Sequence, residues 1–75
     1  MSPDKLVHMI NQIAQFHARQ PEAEAAKNIA VHLKRFWDPR MRAAIAAFVT
    51  ANGVGLLPAA HRAVENLMAE AAPKA

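Results

Sequence analysis

Cysteine and tyrosine are absent from this chain, glycine occurs only twice, and Ser2 and Thr50 are the only hydroxyl side chains. Without cysteine there is no disulfide, no thiolate for zinc or an iron–sulfur cluster, and no thiol nucleophile. Neither Ser2 nor Thr50 sits in a nucleophile-elbow sequence. Gly53-Val54-Gly55 lacks the remainder of any phosphate-binding fingerprint. The histidines are His8, His17, His32 and His61, and no two are three or four residues apart, so no single helix presents a pair of imidazoles to a metal. No apolar run approaches the roughly 18 residues that a membrane crossing needs. A length of 75 residues excludes a second domain and any deep cofactor pocket walled by this chain alone.

The absence of a leader-like opening and of cysteine predicts a cytoplasmic, soluble chain: Met1-Ser2-Pro3-Asp4-Lys5 is mixed in charge, and His8, Asn11 and Gln12 interrupt the apolar residues that follow. Nine basic against six acidic side chains leave a formal charge of +3, which suits nucleic acid and acidic protein surfaces alike.

What is present is apolar and small. Hydrophobic residues make up 53% of the chain, but 18 of them are alanine, which buries little. A chain this short hides only about 60% of the surface its unfolded form exposes. Its own stability is therefore expected to be marginal unless helices pack closely or a partner covers part of it. Alanine, leucine and methionine favour helix, no apolar–polar alternation persists, and proline and glycine divide the chain into four pieces. The expected fold is a single all-α domain over residues 1–75, a bundle of three to four short helices with 72–75 as a flexible tail.

Ser2 and Pro3 open the first helix as N-cap and first helical residue. Leu6, Met9, Ile10, Ile13 and Phe16 are its predicted apolar stripe, and Pro21 stops it near Arg19. The second starts near Glu22, with Ala26, Ile29, Ala30, Leu33 and either Phe36 or Trp37 facing inward. Asp38 caps a third helix with Pro39 at its first position, and Met41, Ala44, Ile45, Phe48 and Val49 form its stripe. Asn52-Gly53 ends it. Val54-Gly55-Leu56-Leu57 is expected to fold back on the core, and Pro58 to open a fourth helix that buries Val64, Leu67, Met68 and Ala71.

The segment from His32 to Arg42 stands apart. It gathers Lys34, Arg35, Arg40 and Arg42 around Phe36 and the only tryptophan, Trp37. Asp38, Pro39 and Met41 have structural duties there. Arg40 does not, because the positive end of a helix disfavours a cation by several tenths of a kcal/mol. Phe36 and Trp37 are adjacent, so one enters the core and the other lies partly at the surface. An aromatic residue beside arginines at a helix–helix elbow has the makeup of an interface anchor. The candidate partner-binding residues are Arg35, Phe36, Trp37, Arg40 and Arg42, with Trp37 as the anchor. The structural alternative is that Trp37 only fills the core and Arg40 pairs with Asp38. No residue is a candidate for catalysis, a metal or a cofactor.

Phe36-Trp37-Asp38-Pro39-Arg40-Met41-Arg42 resembles the signature of the delta subunit of NAD-dependent formate dehydrogenase. Leu6-Val7-His8-Met9-Ile10-Asn11-Gln12-Ile13-Ala14 is similar to that family's opening helix, and Gly55-Leu56-Leu57-Pro58 with Ala63-Val64 to its closing segment. The resemblance implies a non-catalytic accessory subunit of a cytoplasmic molybdenum- or tungsten-dependent, NAD-linked enzyme. Larger subunits would hold the pterin-bound metal, iron–sulfur clusters and flavin. This chain would bind no cofactor and would support assembly, cofactor insertion or stability of the large catalytic subunit. Two other readings stand beside it, nucleic-acid binding through the same cations and self-association through alanine-lined helices. Nucleic-acid binding is disfavoured because the helix after Arg42 carries no side chain able to read base edges. Self-association would bury more of a small apolar surface.

Overall fold

The computed structural model describes residues 2–71, which form four helices and no strand. The fold is all-α. Helix α1 spans Pro3–Phe16, α2 Glu22–Phe36, α3 Pro39–Ala51 and α4 Pro58–Ala71. The expected tail at 72–75, and the burial expected of the Ala71 side chain, lie outside the described residues.

Two helices start by the same device. The Ser2 hydroxyl accepts from the Lys5 N–H at 3.4 Å, and the Asp38 carboxylate from the Met41 N–H at 2.9 Å, each with proline at the first helical position. Helix α2 has no side-chain cap. Glu22 and Glu24 in its first turn and Lys34 and Arg35 in its last complement its dipole instead. Helix α3 ends where Gly53, at φ +66°, turns the chain and its N–H donates to the Phe48 carbonyl at 3.0 Å.

The core is small and centred on α2. Leu6 and Ile10 of α1, Ile29 and Leu33 of α2, Ile45 of α3 and Val64 of α4 are its fully buried large side chains. Ala26 and Ala30 face Ala60 and Ala63 across the most extensive helix pair, α2 with α4. Small side chains at that contact let the two backbones approach, so alanine does here what bulk does elsewhere. Two surface ion pairs, Glu22–Arg62 at 3.3 Å and Lys34–Glu70, tie the starts and the ends of the two helices together, so they run in the same direction. Such exposed pairs contribute about 1 kcal/mol or less each. The radius of gyration is 11.3 Å, close to the ~11 Å of a compact chain of this length.

Five sequence expectations need correction. Met68, expected on the buried face of α4, is exposed, because Ala43 and Ala46 of α3, which line a groove with it, are too small to cover it. Helix α1 ends at Phe16, with a turn before Pro21, rather than near Arg19. Phe16 is 89% exposed. Two successive steps of three residues from Ile10 carry it roughly 120° around the helix, off the buried face. Ala44 is exposed: it lies about 100° around α3 from Ile45, the residue that this helix buries fully. In the α3–α4 connection only Leu56 packs on the core, while Val54 and Leu57 are exposed.

That connection is held by a residue far away in sequence. The Asn11 amide of α1 donates to the Gly55 carbonyl at 2.8 Å and accepts from the Leu57 N–H at 2.9 Å. One side chain thus satisfies a donor and an acceptor of the loop, where no local side chain does so for Leu57. Asn11→Ala is expected to lower stability by about 1–3 kcal/mol, read as a lower urea midpoint at unchanged slope. Asn11→Asp keeps the acceptor for Leu57 but loses the donor to Gly55, and should fall between the two.

Candidate functional site

The elbow between α2 and α3 is built from the last turn of one helix and the first turn of the next. Trp37 ends α2 in an extended conformation, φ −91° and ψ 136°, and its ring turns inward to 5% exposure. The row Ala26, Ala30, Leu33, Trp37 runs at spacings of four, three and four, which keeps one face inward. Phe36 falls outside that row and is 71% exposed. Its ring lies 4.8 Å from the half-buried His32 ring, centre to centre, and tilted by 43°. The apolar surface at the elbow therefore belongs to Phe36. The expected roles of the two aromatic residues are exchanged, since Trp37 is part of this chain's own core.

The arginines divide as well. Arg35 and Arg40 are exposed, and neither has an ion-pair partner among the described residues. Asp38 is occupied with the Met41 N–H and does not neutralise Arg40. Arg42 is half-buried, and its Nε, shielded from water, has no hydrogen-bond partner among the described residues. Lys34, the fourth cation of the segment, is committed to Glu70. The fold thus leaves Arg35, Phe36 and Arg40 exposed on the two helix ends that form the elbow and sets Arg42 on the lining of a groove between α3 and α4. That groove was not foreseen from the sequence, though the row Pro39, Ala43, Ala46 of small residues on α3 is its signal.

Nothing near the elbow resembles catalytic machinery. Thr50 donates its hydroxyl back to the Ala46 carbonyl at 2.9 Å, and Ser2 is a cap. His61 lies 3.2 Å from Glu65 on the same helix turn, with neither hydroxyl side chain as its partner. Among the described residues no group of three or more His, Asp or Glu side chains could hold a metal ion. The donor set of this chain does not fit an iron–sulfur cluster or a thiolate-bound metal. Beyond Arg42, outward-facing Ala43, Ala44 and Ala47 offer no base-reading side chain on α3. No helix among the described residues is long and apolar enough to cross a membrane.

A family model described as NADH-dependent formate dehydrogenase delta subunit FdsD matches residues 5–64. That span includes the Asn11 clamp, the whole elbow and the start of α4. No curated protein matches the chain. No solved structure matches it either.

The exchange of aromatic roles is directly measurable. Trp37→Ala should cost about 3–5 kcal/mol through the cavity it leaves in so small a core. Phe36→Ala should stay within about 0.5 kcal/mol of the native chain, as surface substitutions usually do. Urea denaturation followed by circular dichroism gives both values.

Proposed function

The chain belongs to the family of NADH-dependent formate dehydrogenase delta subunits, and on that premise we propose that it is a non-catalytic accessory subunit that docks on the large catalytic subunit through the α2–α3 elbow. It supports assembly, cofactor insertion or stability of that subunit in the cytoplasm. The metal, clusters and flavin reside in the partner subunits.

The observation that carries this reading is the set of side chains the fold does not use. Phe36 is mostly exposed, and Arg35, next to it in sequence, and Arg40, in the first turn of α3, are exposed without ion-pair partners among the described residues. An exposed aromatic residue flanked by guanidinium groups suits an interface, because burying it on a partner gains apolar contact while the arginines meet carboxylates in bidentate geometry. Trp37, Asp38 and Pro39 act through position: the buried indole and the capped helix start fix the angle at which Phe36 and Arg40 are presented. Phe16 is the more exposed ring, but it lies at the far end of α1 with uncharged Gln12 and Gln15 as its neighbours, so it lacks the charge that would orient a partner.

Co-expression with the catalytic subunit tests the reading. Phe36→Ala and Arg40→Glu should each weaken co-purification roughly thirtyfold, the equivalent of about 2 kcal/mol, with thermal unfolding of the isolated chain unchanged. Phe16→Ala should co-purify at the native level. Native-level recovery of both elbow variants would refute docking at the elbow.

A further inference from the structure

Beside the elbow, α3 and α4 diverge and leave an open groove of about 640 Å³. Pro39, Ala43 and Ala46 form one wall, and Leu67 and Met68 the other. Lys34 and Glu70 lie along its edge, paired with one another. Arg42 is thus the one cation on its lining left without a carboxylate among the described residues. Its Nε–H is already out of contact with water and makes no hydrogen bond there.

We propose that this groove receives a segment of the partner catalytic subunit that presents bulky apolar side chains around a single carboxylate, which pairs with the guanidinium of Arg42. The inference rests on the docking reading above and extends it from the elbow to the adjoining helix pair. The alanines on α3 keep that wall low, so the missing bulk must come from the occupant. The carboxylate follows from the unpaired cation on the lining. A guanidinium covered by an apolar partner without a counter-charge is costly, and a carboxylate supplies the counter-charge and accepts from the guanidinium N–H groups.

The groove's own exposure argues for a protein segment over a small molecule. Pro39, Ala43 and Met68 are open to solvent, whereas small-molecule sites enclose most of their ligand. Charge argues against a second copy of this chain. The chain carries +3; among its described acidic side chains Asp38 is a cap and Glu22, Glu65 and Glu70 are paired, while Asp4 and Glu24, which are free, sit in helix first turns with no exposed large apolar residue next to them in sequence. An acidic segment of a larger neighbour is the complementary occupant.

The test uses the full chain co-expressed with the catalytic subunit and recovered through a tag on this chain. Ala43→Trp fills the groove from an exposed position, and Arg42→Glu reverses its charge. Ala47→Trp places the same bulk on an exposed α3 position outside the groove lining. Thermal unfolding should show all three variants folded. The first two should retain less than a tenth of the native amount of catalytic subunit, and Ala47→Trp the native amount. If Ala43→Trp and Arg42→Glu recover native amounts while Phe36→Ala does not, the groove proposal is overturned and the elbow still docks. If Phe36→Ala and Arg40→Glu recover native amounts as well, the docking reading itself falls. If sedimentation shows the native chain as a dimer that Ala43→Trp splits, with recovery of the catalytic subunit unchanged, the occupant is a second copy and the proposal is overturned.

Discussion

Burial of the Trp37 indole at the junction of α2 and α3 is the constraint from which the elbow takes its shape. The ring enters the core as the chain leaves α2 in an extended conformation, and Asp38 and Pro39 restart the helix at once. Adjacent residues cannot share one direction, so an inward Trp37 sets Phe36 outward. The restart places Arg40 and Arg42 in the first turns of α3, where the helix dipole offers a cation no benefit. The elbow is thus a rigid structural joint on its inner side and an unsatisfied aromatic and cationic surface on its outer side.

The remainder of the fold keeps that joint in place with few resources. Alanines at the α2–α4 contact bring the helices close, the Asn11 amide secures a loop more than forty residues away, and the large buried side chains come from all four described helices. Burial scales poorly for a chain of this size. A partner that covers the elbow and the α3–α4 groove would stabilise the folded state by mass action, without any change in internal contacts.

Much of this was legible in the sequence, for identifiable reasons. Caps and prolines fix where α1, α3 and α4 start, because Ser2, Asp38 and the first-turn prolines act locally. The left-handed glycine after Asn52 is local too. Phe16 was misplaced because steps of three residues drift off a helical face. Ala60 and Ala63 were overlooked because alanine gives little periodic signal, although both are fully buried. Phe36 and Trp37 could not be told apart by composition. Only the spacing that runs from Ala26 through Leu33 to Trp37 separates them. The Asn11 clamp and the groove depend on helices distant in sequence and left no local signature.

In the proposed docking, the side chains that the fold leaves unused at the elbow and groove are the ones the enzyme covers. Hydroxyl-radical footprinting of the subunit, alone and within the assembled complex, reads this directly. Phe36 at the elbow and Met68 at the groove are both exposed in the isolated chain, as are Phe16 and Val54 elsewhere. Docking at both surfaces should suppress oxidation of Phe36 and Met68 on assembly and leave Phe16 and Val54 as reactive as before. Equal oxidation of Phe36 and Met68 in the free and assembled subunit, with protection at Phe16 instead, would contradict it.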